Sequence, residues 1–396
     1  MALDFIEVNR LLQKMRRIRK MESRYEGVGP VFDESDFKLI SFMNKQDFKT
    51  VLEEIREKPR PQKGYLFSSG GTLGSPQINL IPSHLFLDDI IKNWKPLDSE
   101  DVFCNLFLPG KMWSSHYFYN ALGDRLAKET IPLGPINESE LGVWIRFFNE
   151  QGVTAIAGTP TTLKQIIGYC HREGLRLTTV RKVLWVGEQF GNDLAELLGK
   201  VLPEVEVWGL YGSTETWVIG YNGPHCSFDC FHLLPYQYVE VLEEGELAVT
   251  GVHPDTISIA LRYRLGDVGE WSSCLCGKES RTLRILGRKG REFKFRGALF
   301  DPAWLIDTAK DHSCVTQGQV VILKREAGSE ILELRVVDPH GGVDIEELRD
   351  HVISQIFDLS NIVARDRESF RVSVVPNVQV NSRTHKTPMV VWEDKK

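Results

Sequence analysis

From Tyr65 onward the chain alternates short apolar runs with longer stretches of helical periodicity, and this alternation restricts its fold more than any other feature. "DVFCNLFLPG" reads as a strand and turn, "SHYFYNALGDRLAKE" as a helix and "VTAIAGTP" as a strand. "TTLKQIIGYCHREG" follows as a helix, "VRKVLWVGEQ" as a strand and "GNDLAELLGKVLP" as a helix. Strands separated by helices cannot pair through tight turns. They build an α/β fold in which a mostly parallel sheet is covered by helices on both faces. Ligands of such sheets bind where loops leave the carboxyl ends of the strands, so chemistry is expected there.

Before about Lys63 the pattern is helical and charged, and after Leu286 it changes again. "QGQVVILKR" and "EILELRVVDPHGG" look like paired strands, "DIEELRDHVISQIFD" like a helix and "SFRVSVVPNVQV" like another strand, an order that suits a small α+β domain. The expected division is a large domain over 1–286 and a mobile lid domain over 287–396, with Gly287 and Gly290 as a hinge. A chain of 396 residues accommodates two such units.

The bulk numbers exclude several classes. A hydrophobic share of 42% with 26% charged residues supports a large core and argues against disorder. The net charge of -6, without a basic patch, argues against nucleic acid as a partner. No apolar run is long enough to cross a bilayer, so no membrane role is expected. The opening "MALDFIEVNRLLQKMRRIRK" lacks the uncharged core of a signal peptide and reads as an amphipathic surface helix. A mitochondrial presequence is the alternative, weakened by Asp4 and Glu7. Seven cysteines, an odd number without a secretion signal, point to reduced thiols or metal ligands in the cytoplasm.

Five segments carry candidate chemistry. In "YLFSSGGTLGSP", Ser69, Gly70, Gly71, Thr72 and Gly74 place small and hydroxyl residues after a strand. Glycine lets backbone N–H groups approach an anion, and hydroxyls add donors, as in a phosphate cradle; an exposed turn is the plainer reading. No Gly-Lys-Ser/Thr follows, so this is not a Walker A loop. In "WGLYGSTET", Tyr211 could stack on adenine and Glu215 could bind magnesium, or the segment is a polar turn after a buried strand. In "YRLGDVGEW", Asp267 could accept hydrogen bonds from ribose hydroxyls, or is a turn aspartate. In "GRKGREFKFRG", Arg288 could reach the ribose or the α-phosphate, or belongs to a solvated basic strand pair. In "NSRTHKTPMV", Lys386 could neutralise charge as a carboxylate meets the α-phosphate, or only aids solubility.

The five occur in one fixed order, and that order resembles the acyl-adenylate-forming superfamily of acyl- and aryl-CoA ligases, luciferases and peptide-synthetase adenylation domains. "KETIPLGP", "WVGEQF" and "CLCG" make the chain similar to the phenylacetate-CoA ligase type, nearest to compact members such as those of phenazine biosynthesis. The resemblance covers Tyr65 to Trp392 and implies ATP-dependent activation of a carboxylic acid, an aryl acid above all, with CoA, a carrier protein or an amine as acceptor. It assigns the β- and γ-phosphates to Ser69–Gly74, adenine to Glu188, Tyr211 and Gly212, and the α-phosphate and Mg2+ to Thr214 and Glu215. Asp267 and Arg288 would hold ribose, and Lys386 would be the catalytic lysine. Leu73, Gly290, Arg291 and His385 depart from the family pattern, and the hinge changes bear on the second half-reaction. Competing readings are a non-catalytic nucleotide-binding relative that senses or scaffolds, and a kinase or hydrolase releasing ADP.

Two further sets complete the expectations. Trp113, His116, Tyr117 and Phe118 could line an aromatic acyl pocket, or simply pack a buried helix. "HCSFDCFH" and "CLCG" offer His225, Cys226, Cys230, His232, Cys274 and Cys276. The preferred structural zinc set is Cys226, His232, Cys274 and Cys276, with Cys230 as substitute and buried free cysteines as the equal alternative. Relatives of the phenylacetate type show a similar Cys…His and Cys-x-Cys arrangement.

Overall fold

The computed structural model describes residues 3–60, 62–68, 77–110, 112–278, 281–288, 292–311, 314–324, 330–379 and 387–394. Its strands are β1 (Gly64–Ser68), β2 (Ile78–Pro82), β3 (Val102–Asn105), β4 (Glu129–Ile131), β5 (Ala155–Gly158), β6 (Lys182–Val186) and β7 (Glu206–Ser213). They continue with β8 (Trp217–Asn222), β9 (Cys230–Leu233), β10 (Gln237–Val241), β11 (Glu246–Gly251), β12 (Tyr263–Ser272) and β13 (Thr282–Arg288). The last six are β14 (Phe293–Phe295), β15 (Ala298–Phe300), β16 (Gln317–Lys324), β17 (Glu330–Val337), β18 (Phe370–Val374) and β19 (Val390–Asp394).

Eleven of these form one sheet in the order β10-β11-β12-β13-β9-β8-β7-β6-β5-β3-β4. The stretch from β4 to β7 is parallel, as the alternation of strands and helices predicts. Every pairing from β7 to β10 is antiparallel, so the expected mostly parallel sheet holds for one half only. The physical reason is local: no helix separates β7 from β8, or β12 from β13, so these strands close as hairpins. The small domain's sheet, β18-β17-β16-β19, stands apart from the large one. It is flanked by the Pro302–Lys310, Ile345–Gln355 and Phe357–Arg365 helices; the stretch read as one helix holds the second of these and ends as the third begins.

Period-two alternation sends successive side chains of the parallel strands to opposite cores. Ala155, Ala157 and Leu184 face one core with Phe118, Tyr119 and Leu122 of the Ser114–Leu126 helix. Ile156, Val183 and Trp185 face the other, with Leu163, Ile167, Leu194 and Leu198. Each fully buried aliphatic side chain contributes about 1.5–3 kcal/mol against its exposed state. The Phe5–Arg16 helix is amphipathic, as expected, and buries Val8, Leu11, Leu12 and Met15 in the first core. Arg262 ties this amino-terminal layer to the sheet through the Lys38 and Ile40 carbonyl oxygens at 2.7 and 2.6 Å. The Pro160–Glu173 helix shows why its segment starts and stops where it does. The Thr159 hydroxyl caps its first turn, Pro160 opens it, and Gly174 closes it at φ 64°.

Candidate active site

The carboxyl ends of β3, β5, β6 and β7 lie side by side, and the loops that leave them carry most of the expected site residues. β7 ends in Tyr211, Gly212 and Ser213, and β8 begins only at Trp217, so Thr214 and Glu215 sit in a tight turn. Gly212 is required there by close approach, since a Cβ at this position would lie 2.3 Å from the Trp217 carbonyl oxygen.

Tyr211, Asp267 and Arg288 come together. The Tyr211 hydroxyl donates to Asp267 Oδ2 at 2.7 Å, and Arg288 Nε donates to Asp267 Oδ1 at 2.6 Å. Asp267 and Arg288 are register partners on β12 and β13. Three strands separate β7 from β12 in the sheet order, so the contact with Tyr211 requires the sheet to curl between them. Burial, and then the Asp267 carboxylate, push the Tyr211 pKa well up, so its hydroxyl stays a donor at ordinary pH. Burial works against the Arg288 charge, but Asp267 and then Glu292 outweigh it. Each carboxylate oxygen has two acceptor positions, so Asp267 retains capacity for two ribose hydroxyls.

Glu215 belongs to the same cluster, within the field of Arg288. Its Oε1 accepts from the Tyr263 hydroxyl at 2.9 Å. Burial and then this carboxylate raise the Tyr263 pKa, which keeps the hydroxyl protonated as a donor. The other Glu215 oxygen has no protein donor among the described residues. A half-buried carboxylate oxygen left open at a strand end fits a hard cation such as Mg2+.

Glu188 sits apart from this group. Its Oε2 accepts from the Thr161 backbone N–H at 2.8 Å and from the Thr161 hydroxyl at 2.7 Å, at the amino end of the Pro160–Glu173 helix. Burial raises its pKa against those two bonds, and Oε1 is buried without a partner among the described residues. Lys294, on β14 of the small domain, bridges the two groups. Its Nζ donates to the Gly187 carbonyl oxygen, and it interacts with Asp267, Arg288 and Glu188. One flank of Lys294 reaches solvent, yet desolvation in the cleft lowers its pKa. Gly297, at φ +85°, carries the β14–β15 turn past Glu188; a Cβ there would lie 3.5 Å from Oε1.

The four aromatic-segment residues do not share one pocket. His116 is buried, with Nδ1 2.7 Å from the Phe107 carbonyl oxygen, so Nδ1 donates there. Phe118 is buried edge-on to Trp217 at 6.0 Å. Tyr117 is 45% exposed and packs on Phe67 and Tyr65. Trp113 lies under the guanidinium of Arg365, from the small domain, at 5.5 Å. Ser69, Gly70, Gly71, Thr72 and Gly74, and Lys386, lie outside the described residues, as do Leu73, Gly290, Arg291 and His385. Sequence reasoning missed Tyr263 and Lys294. Both stand in quoted segments, four residues before Asp267 and three before Gly297, but neither has a partner nearby in the chain.

A second cluster lies at the other end of the β12–β13 hairpin. One ligand atom from each of Cys226, His232, Cys274 and Cys276 lies within 4.8 Å of all the others. His232 Nε2 is 3.2 Å from Cys276 Sγ and 3.7 Å from Cys226 Sγ. Donors of tetrahedral zinc stand about 3.4–3.8 Å apart, given the usual bond lengths. Cys230 faces Asp229 and Arg284 instead, and His225 is exposed.

Residues 129–253 match the model of a family described as AMP-binding enzyme. That match spans less than half of the chain, which is similar to the family over those residues. Among curated proteins it is similar to indoleacetate–lysine synthetase of Pseudomonas savastanoi, 24% identical over 163 residues, which is 41% of this chain and 40% of that one. The chain thus spans under half the length of the curated relatives it matches. Among solved structures it resembles 2-hydroxyisobutyryl-CoA ligase in its thioesterification state. The TM-score is 0.78 at 17% identity, over 99% of this chain and 89% of that one. Against the same ligase in its postadenylation state the TM-score is 0.59, over 98% and 88%. The likeness to these structures is one of fold. No helix among the described residues is long and apolar enough to cross a membrane.

Proposed function

We propose that this protein activates a carboxylic acid with ATP, forming an acyl-adenylate and pyrophosphate, and then passes the acyl group to a thiol or amine. The observation that carries this reading is the Tyr211–Asp267–Arg288 contact beside Glu215, at the strand ends of an AMP-binding-family fold. Asp267 would accept the ribose hydroxyls, Arg288 would hold that carboxylate and face the phosphates, and the Tyr211 ring would flank adenine. Glu215 and Thr214 would serve the α-phosphate and Mg2+, which screens phosphate charge when bound. Ser69, Gly70, Gly71, Thr72 and Gly74 would cradle the β- and γ-phosphates.

In the first step a carboxylate oxygen attacks the α-phosphorus, the bond to the bridging oxygen breaks, and pyrophosphate leaves. Catalysis is positioning plus charge neutralisation, with Lys386 as the principal cation. In the second step a thiol sulfur or amine nitrogen attacks the acyl carbon, loses its proton, and AMP leaves. The higher similarity to a thioesterification-state ligase than to its postadenylation state supports a small domain, 287–396, arranged here for this second step. Of Trp113, His116, Tyr117 and Phe118, which do not share one pocket, the half-exposed Tyr117 packed on Tyr65 and Phe67 is the one most open to an aryl acid. The acceptor is CoA, a carrier-protein thiol or an amine, and an amine accords with a relative named as a lysine synthetase. The Cys226, His232, Cys274 and Cys276 cluster would hold one structural zinc, closed to catalysis by its fourth protein ligand.

Acid-dependent exchange of pyrophosphate into ATP, run over aryl, hydroxy and fatty acids, tests the reading. Label should enter ATP with at least one class of acid and AMP should form with an acceptor. ADP as the nucleotide product, or no exchange with any class, overturns it.

A further inference from the structure

Two buried amides hold the turn that presents Thr214 and Glu215. Asn79, on β2, donates from Nδ2 to the Thr214 carbonyl oxygen at 2.6 Å and to the Glu215 carbonyl oxygen at 3.0 Å. Gln237, the first residue of β10, donates from Nε2 to the Thr216 and Val218 carbonyl oxygens at 2.8 and 3.0 Å. The two residues are 1% and 2% exposed. Their orientation is forced, because flipping either amide would set its oxygen against two carbonyl oxygens.

The amide oxygens thereby face away from the turn. Neither has a partner among the described residues, and neither has the Tyr236 hydroxyl. All three residues line one cavity of about 30 Å³ that Glu215 also lines. That volume has room for about two water molecules, whose hydrogens are the donors two amide oxygens need. An apolar side chain at either position would bury no amide oxygen, but it would take these donors from two backbone carbonyl oxygens. What these bonds reach is four carbonyl oxygens within a five-residue stretch, 214–218, that includes both expected phosphate and metal ligands.

We propose that Asn79 and Gln237 are positioning residues, a two-amide clamp that fixes the Glu215 carboxylate for the metal-bound triphosphate. The clamp rests on the reading of Glu215 as the Mg2+ ligand. It acts from strands that carry no expected site residue, so the β7–β8 turn is held from both sides: by Tyr263 at the Glu215 carboxylate and by the amides at the backbone. A local displacement of even 1 Å matters at such a site, because electrostatic stabilisation depends on placement.

The test is calorimetric binding of ATP with and without Mg2+, which needs no acid substrate. Asn79→Leu and Gln237→Met keep shape and remove the donors. Each should weaken Mg·ATP binding about tenfold while leaving metal-free ATP binding within about twofold, on the scale of one lost hydrogen bond to a well-placed group. A purely structural role would lower the urea midpoint and leave that metal-dependent increment unchanged, and this result overturns the clamp. Should Asn79→Leu fail to fold, Gln237→Met, on a different strand, carries the comparison alone. Wild-type protein that binds no ATP would instead contradict the functional reading beneath it.

Discussion

Asp267 accepts from a tyrosine and an arginine at once, and this double engagement sets the character of the proposed nucleotide site. Both donors keep their protons at ordinary pH: burial and the Asp267 charge favour the neutral Tyr211 hydroxyl, and for Arg288 the Asp267 and Glu292 charges outweigh the cost of burial. The carboxylate is therefore held in place from two sides before any ligand arrives. Asp267→Asn should raise the KM for ATP about tenfold or more, since a hydrogen bond to a charged group contributes roughly 1.5–3 kcal/mol. Tyr211→Phe, which keeps the ring and the Arg288 contact, should have the smaller effect. Exchange kinetics at varied ATP check both, and an unchanged KM in Asp267→Asn would remove Asp267 from the site. These residues were legible because each sits in a short segment with glycine beside it, Gly212 for Tyr211, Gly266 for Asp267 and Gly287 for Arg288. Asn79 was not legible, because the carbonyls it holds lie 135 and 136 residues further along the chain.

At the scale of elements, the parallel half of the sheet followed from strands spaced by helices, whereas the antiparallel half has no such punctuation. Between Trp217 and Arg288 the strands follow one another through turns, and their pairing order, with β9 between β8 and β13, depends on contacts far apart in sequence. The parallel half is pinned at its amino ends by a charge cluster. Lys182 donates to Asp101 at 2.7 Å and to Asp98 at 2.6 Å, joining β6 to the residues that lead into β3. Asp101 is fully buried and would keep the Thr154 hydroxyl, the Asp98 N–H and the Arg181 contact at 3.4 Å, so Lys182→Met should cost about 1–3 kcal/mol in urea unfolding through the lost charged hydrogen bonds. The pH signs follow from linkage. Asp98 is held below its ordinary 3.8 by the Lys182 hydrogen bond, so its contribution is present above that value and is lost as pH falls through the lowered one. Burial opposes the Lys182 charge, but Asp101 and Asp98 outweigh it and raise the pKa from 10.5. That part is full below 10.5 and lost as pH rises through the raised value. Lys182→Met should flatten both limbs of the stability profile.

The β12–β13 hairpin shows a second device at this scale. Asp267 and Arg288 face each other at one end, and Cys274 and Cys276 occupy the turn at the other, beside Cys226 and His232. Purified protein should carry about one zinc per chain, the stoichiometry of one four-ligand site. Cys276→Ser should lose the metal, and Cys230→Ser should keep it. Zinc well below one per chain in wild-type protein would end the idea.

At the scale of the whole molecule, the small domain meets the large one through Lys294 at Gly187, Gly297 beside Glu188, and Arg365 over Trp113. In this arrangement the β14–β15 hairpin lies against the carboxyl end of β6, where the acyl-adenylate would wait. Lys294→Ala should therefore slow acyl transfer at least tenfold more than it slows pyrophosphate exchange, the mark of an interaction made in one step only. Equal losses in the two steps would show that the hairpin serves both.

The central claim is that a carboxylate is joined to AMP with Lys386 supplying the decisive charge, and acid-dependent ATP–pyrophosphate exchange by wild-type and Lys386→Ala protein measures it most directly. Exchange should depend on an acid and fall by about two to three orders of magnitude in the variant, while ATP binding is largely retained. An undiminished rate in Lys386→Ala, or exchange that ignores the acid, would contradict the account.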